Sequence, residues 1–420
     1  MGFSLPGNAP GAGATAGAAG AGAVPDYADF RTQYDRFASP IAQILVNGKE
    51  LAVKENPPLV ISDISVEITC GYEASVASFR IYHSYNNDKS SFRYEELKSQ
   101  LFLGASAEIK LGYAKTVETV FVGFVAGVAF AFEPGGLPYI EVTAMDVKSL
   151  MMGGTYSCQL AAHSYGAAVR EIFQRASYQS LKSAGGFIDT TNINDTPDKK
   201  EDDAREKDKA PLTQTIEMVA ESDYEFVVKA AKKFNYEFFV DRGKVYFRPA
   251  KSVKGAQAKI GVSRGILGFR AEYSITGLAG SIEARSVNPG KGELIKSSEK
   301  VDTTLSTNSK AKALVGKASK IYIDPTISSK EQADARVASL KERMTYRLGS
   351  FEAECIGLPA LSPGRFLDVT GMGAPADNSF YITSVRHEFD TERGFRTMLR
   401  GCAAEIKPDG MNAAGGLAST

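Results

Sequence analysis

The run Val120–Phe132 (VFVGFVAGVAFAF) constrains this chain more than any other feature. It is apolar on both faces, and it falls short of the roughly 20 residues that cross a bilayer as a helix. Gly123 and Gly127 interrupt it, and its other residues are β-branched, aromatic or alanine. Those properties make it a strand, longer than a small sheet requires. Just before it, Ala107, Ile109, Leu111 and Tyr113 alternate with Glu108 and Lys110, the period of a half-buried strand. After it, Pro134-Gly135-Gly136 marks a turn and Tyr139–Met145 reads as the return strand.

Upstream, Ile41–Val46, Val60–Thr69 and Val76–Tyr85 have strand composition, separated by turn residues. Phe92–Phe102 places Phe92, Leu97, Leu101 and Phe102 among Glu and Lys, as in a short amphipathic helix. Several strands with one inserted helix predict a small closed or nearly closed β-barrel over residues 38–150.

The same order returns near the end of the chain. Phe366–Thr370, Phe380–Phe389 and Phe395–Gly401 again read as a short strand, a long strand, a turn and a return strand. The repeat is one of pattern, not of residue identity, and it predicts a second barrel over 262–405. Leu267–Ile275 and Ala279–Ser286 read as a strand pair in it, and Ser350–Ile356 as a further strand. Lys291–Ala318 reads as polar loop. A helix follows, with Ser328 and Glu331 as a capping box and Ala333, Val337, Leu340 and Met344 along one stripe.

Residues 151–261 differ in character and read as an α+β middle domain. Ala167–Ala176 is helical by pattern, and 195–210 is a charged run expected to be a solvated loop. Ser222 and Glu225 form a capping box ahead of Val227, Val228, Ala231 and Phe234 at helical spacing. Asn235 suits a left-handed helix end. A hairpin then runs from Tyr236–Val240 through Asp241-Arg242-Gly243 to Lys244–Phe247. Residues 1–37 are expected to be a flexible Gly/Ala-rich arm and 406–420 a flexible tail. The fold class is thus α+β and β-rich, with two tube-like β-barrel domains and a helix-hairpin middle domain.

Composition narrows the function. Lys plus Arg and Asp plus Glu are 49 each, a net charge of zero that gives no electrostatic case for nucleic acid or an anionic membrane. No basic start and compact apolar stretch announces a secretory signal. Cys70, Cys158, Cys355 and Cys402 form no CxxC pair, and with 3 histidines no zinc site is expected. Nucleophile-elbow, phosphate-loop and HExxH motifs are absent. His387-Glu388 lacks a second histidine, having Arg393 nearby, so it reads as a strand histidine. His163 near Cys158, and His83, have no third group to orient a base. Glu95-Glu96 and Asp202-Asp203 read as surface charge. No catalytic, cofactor-binding or metal-ligating residue is nominated, and no cofactor is expected.

The segment Ala220-Glu221-Ser222-Asp223-Tyr224-Glu225-Phe226, its helix, and the strands Tyr236–Val240 and Lys244–Pro249 resemble the signature of phage late control protein D. That family includes the baseplate hubs of contractile-tailed phages and the hub half of type VI secretion VgrG proteins. A second match, Gly357-Leu358-Pro359-Ala360-Leu361-Ser362-Pro363-Gly364 followed by Phe380–His387 and Gly394–Leu399, resembles the family's closing pattern. The resemblance covers roughly 38–405 and gives His387 a structural use. It implies a homotrimer whose six barrels form a pseudo-sixfold ring, with an inner tube protein on one side, a trimeric spike protein on the other, and other baseplate proteins around it. It implies assembly in the cytoplasm as part of a phage tail or contractile injection particle, with no membrane insertion by this chain. No spike follows residue 405, so the spike is expected to be a separate protein. The long apolar strand nominates Val120, Val122, Val125, Val128 and Phe130 as the subunit or tube interface. Two alternatives stand beside this reading: a tail-tip cell-wall hydrolase, and a tube or adaptor protein of the same particle.

Overall fold

The computed structural model describes residues 23–51, 58–183, 188–197, 216–287, 292–301, 309–325, 327 and 329–407. Most of the Gly/Ala-rich arm, the charged run beyond residue 197, Ser328 and the tail beyond residue 407 lie outside the described residues.

Alternating segments become strands in one continuous 13-stranded sheet. Its first part runs Pro40–Val46, Ser106–Tyr113, Thr116–Ala131, Tyr139–Met145, Val76–Tyr82 and Val60–Thr69, every contact antiparallel. Val60–Thr69 then pairs with Asn378–Asp390 and so enters the second part. There Ala256–Val262, Gly265–Tyr273, Gly349–Ile356, Gly394–Ala403, Asn378–Asp390 and Phe366–Thr370 close into a six-stranded barrel. In the first part the gap between Pro40–Val46 and Val60–Thr69 is a groove lined by Ile41, Ile44, Leu51, Ile61, Ile64 and Phe389. The fold class is the expected β-rich one, with one closed barrel and one open barrel-like sheet beside a helix-hairpin unit. One apolar core runs through both parts.

Several elements differ from expectation. Phe92–Phe102 holds only the short helix Tyr94–Leu97. Residues 26–37, assigned to the flexible arm, are docked. Asp26 and Asp29 form a reciprocal capping box on the helix Tyr27–Gln33, and Phe30 and Tyr34 are buried. The helix spans both parts: Pro25 O accepts from Lys259 N at 2.9 Å, and the Tyr34 hydroxyl donates to Glu118 Oε1 at 2.7 Å. Local composition marks the glycine-rich stretch but not the two aromatic anchors after it.

Gly265–Tyr273 does not pair with the strand that follows it. That strand, Ser281–Val287, belongs to a separate sheet with Leu294–Lys300 and Ser319–Ile323, backed by the helix Lys330–Thr345. Lys291–Ala318, read as loop, contains the strand Leu294–Lys300 and the helix Ser309–Gly316. Its alternating apolar positions are too sparse to signal a strand without the helix that covers it. The helix Lys330–Thr345 is capped by Ser329, which accepts from Gln332 N at 3.3 Å. The first strand of the closed barrel, Ala256–Val262, lies across the boundary placed at residue 261.

In the middle region Ser222 and Glu225 cap the helix Asp223–Phe234 reciprocally, and Asn235 ends it at φ 57°. The hairpin Tyr236–Asp241 to Lys244–Pro249 turns on Arg242 and Gly243, both at positive φ, as a two-residue hairpin loop requires. Its buried side chains share a second core with the helix Tyr165–Ile172.

Candidate assembly surface

Thr116–Ala131 is shared between two neighbours. On one edge, Thr116 to Phe124 pair with Ser106–Tyr113. On the other, Phe124 to Ala131 pair with Tyr139–Met145, with a register shift between Val125 and Gly127. Val125 makes the last bonds of the first edge, N to Ala105 O at 2.8 Å and O from Gly104 N at 2.9 Å. Beyond it, among the described residues, that edge has no strand partner. An unpaired edge is a template for another strand.

The five nominated residues divide. Val120 and Val125 are buried in the chain's own core and hold the sheet together. Val122 and Val128 are half-buried. Phe130 is 46% exposed, its ring 5.2 Å from Phe92 and 5.2 Å from Tyr94. Phe132, not nominated, is 70% exposed. Alternation places Val128, Phe130 and Phe132 on one face, a signal available in the sequence but blurred by alanines and glycines on the other.

The second long strand, Asn378–Asp390, has its equivalent edge filled. Phe366–Thr370 covers its start, and Val60–Thr69 covers Ser384 to Phe389. Ile64, Val66, Ile68, Val385 and His387 face the core there. On the outer side the Arg386 guanidinium meets Glu67 at 3.1 Å. His387 is fully buried, and burial together with the Arg242 guanidinium pushes its pKa down to about 3, so the ring is neutral.

The middle unit is anchored to both sheet parts. Lys148, buried, directs its ammonium to the Gly71, Tyr72 and Glu73 carbonyls and over the Phe238 ring at 5.3 Å. Asp146 accepts from the Ser75 and Lys148 amides, each at 2.8 Å. Desolvation raises the Asp146 pKa and lowers that of Lys148. On the barrel side, the Tyr381 hydroxyl donates to the Glu237 carboxylate, which also accepts from Arg248 Nε at 3.3 Å and Lys251 N at 3.1 Å. Arg248 continues to Gly364 O at 2.7 Å. Gly364 sits at φ 77°, and a Cβ there would stand 2.6 Å from the Arg248 guanidinium, so only glycine fits.

Chemistry is sparse. Among the described residues no group of three His, Cys, Asp or Glu could hold a metal ion. Burial pushes the Cys70 thiol up strongly, Cys355 to about 12 and Cys402 to about 11, so these three are not thiolates. No described helix is long and apolar enough to cross a membrane.

The fold has known counterparts. A prophage MuSo2 43 kDa tail protein from Shewanella oneidensis superposes with a TM-score of 0.61 at 14% identity, over 87% of this chain and 99% of that one. A tail protein from Neisseria meningitidis superposes at 0.57 with 12% identity, over 87% and 97%. The fold is therefore that of phage tail proteins. A family model described as the Alg8 N-terminal domain matches residues 202–391, less than half of the chain, and is unrelated to these tail proteins. No curated protein matches.

Proposed function

We propose that this chain is a structural baseplate hub of a contractile phage tail or phage-like injection particle. In this reading three copies form a pseudo-sixfold ring joining a hexameric inner tube to a trimeric spike, with other baseplate proteins around it. The observation that carries it is the internal repeat: two barrel-like sheets with the same strand order, joined side by side through Val60–Thr69 and Asn378–Asp390. Two equivalent units per chain let three chains match six tube subunits on one face and a threefold spike on the other. The likeness of almost the whole chain to tail proteins supports the same setting.

The test is to tag the chain near Gly416, recover it from producing cells and image what accompanies it. Co-purification with a tube protein and a spike, with label at one tube end, supports the hub. Recovery alone, with peptidoglycan cleared by the purified folded chain, would move the hydrolase reading to the front.

A further inference from the structure

The two halves differ at their first strands, Pro40–Val46 running antiparallel to Ser106–Tyr113 and Ala256–Val262 parallel to Phe366–Thr370, but their long strands and the strands after them in the sheet correspond residue by residue, with one exception. Each long strand carries a register shift at the same place: between Val125 and Gly127 against Tyr139–Met145, and between Ile382 and Ser384 against Gly394–Ala403. Bulges of this kind mark where a strand changes direction or partner. Aligning them makes Ala129 the counterpart of Arg386. The cross-strand partners agree. Val76 lies opposite Met145 and Ser350 opposite Cys402, while Glu67 lies opposite Val76 and Glu272 opposite Ser350. Gly265–Tyr273 is therefore the counterpart of Val60–Thr69.

The exception lies past the bulge. In the second half the long strand goes on to pair with Val60–Thr69. In the first half no strand pairs with the matching edge among the described residues. Among the described residues the counterpart receiving strand, Gly265–Tyr273, also has most of one edge unpaired. One of its edges pairs with Gly349–Ile356 along its length, the other only at Gly265 and Ile266, and Leu267 is 54% exposed.

We propose that these two free edges complete each other between copies of this chain, the Ala126–Ala131 portion of one pairing antiparallel with Gly265–Tyr273 of the next. This rests on the ring reading and supplies its inter-subunit contact. The register carries over from the one inside the chain. Arg386 opposite Glu67 becomes Ala129 opposite Glu272, and His387 opposite Val66 becomes Phe130 opposite Ala271. Val385 opposite Ile68 becomes Val128 opposite Tyr273, and Phe389 opposite Ile64 becomes Phe132 opposite Phe269. The inward side of the new contact is thus apolar throughout, which accounts for Phe130 and Phe132 standing exposed in the single chain. The occupant is a second copy because both halves of the contact exist on one chain, at positions whose counterparts already pair. The contact is head-to-tail, the kind that builds rings.

The test is the double variant Ala129→Cys/Glu272→Cys in a Cys158→Ser background, oxidised mildly. Mass is also measured without cross-linking. Either single variant, and the off-register pair Ala129→Cys/Arg270→Cys, are controls, because a two-residue offset leaves roughly 7–8 Å between side chains, too far for a disulfide. Covalent trimers from the matched pair alone support the proposal. Trimer mass with no matched cross-link overturns this contact and leaves the ring. A monomer at every concentration overturns both.

Discussion

The His387 Nδ1 atom lies 3.0 Å from the Thr397 hydroxyl, deep in the closed barrel. Thr397 Oγ1 also accepts from Leu358 N at 2.9 Å. The pair ties the loop after Gly349–Ile356 to two barrel strands, a structural use for a histidine whose sequence context hints at metal chemistry.

This site makes acid stability testable. The folded-state pKa of about 3 lies below the ordinary 6.5, so the fold disfavours the charged ring. Above the ordinary value both states are neutral and stability is complete. As pH falls through it, the unfolded chain binds a proton the folded chain refuses, and stability drops until the folded pKa is reached. Between about pH 6 and pH 4 this site contributes a loss of roughly 2–3 kcal/mol. Urea unfolding of His387→Asn, which keeps a polar partner for Thr397 but cannot titrate, should show a pH dependence smaller by that amount. An unchanged dependence would refute the assignment.

Tyr381→Phe removes one donor from the buried Glu237 carboxylate while leaving Arg248 and the Lys251 amide in place. The expected cost is about 1–3 kcal/mol, read from the shift in denaturant midpoint at constant slope.

The long strand separates folding from assembly. Val125→Lys forces an ammonium into the core and should cost several kcal/mol, visible as a collapsed thermal transition. Phe132→Lys, at an exposed position, should leave the chain's own melting within roughly 0.5 kcal/mol of the unmodified protein and remove self-association in sedimentation.

At the junction of the two sheet parts, the charges outside matter less than the packing inside. Arg386→Ala breaks an exposed pair with Glu67 and should cost no more than about 1 kcal/mol. Val385→Ala, in the same strand but fully buried, should cost roughly 2 kcal/mol. Equal effects in chemical denaturation would mean the ion pair is more than surface charge.

The sequence by itself determined the elements whose causes are local. Ser222 and Glu225 sit three residues apart and cap a helix wherever it is placed; Asn235 ends it, and Arg242-Gly243 turns the hairpin. Alternation likewise marked most barrel strands, including the recurrence of a long one in each half. Only the tertiary structure decided which edges meet. Glu67 and Arg386 pair across a separation of 319 residues, and nothing in either segment names the other. The same holds for Val125 and Phe130: both lie in one apolar run, but one is buried and the other exposed because the neighbouring strand covers the run only as far as Val125. A strand's period of two defines its faces and leaves open which face is covered and which edge is free. Those are settled by non-local packing, where the cost of closing long loops is met only when whole cores fit together.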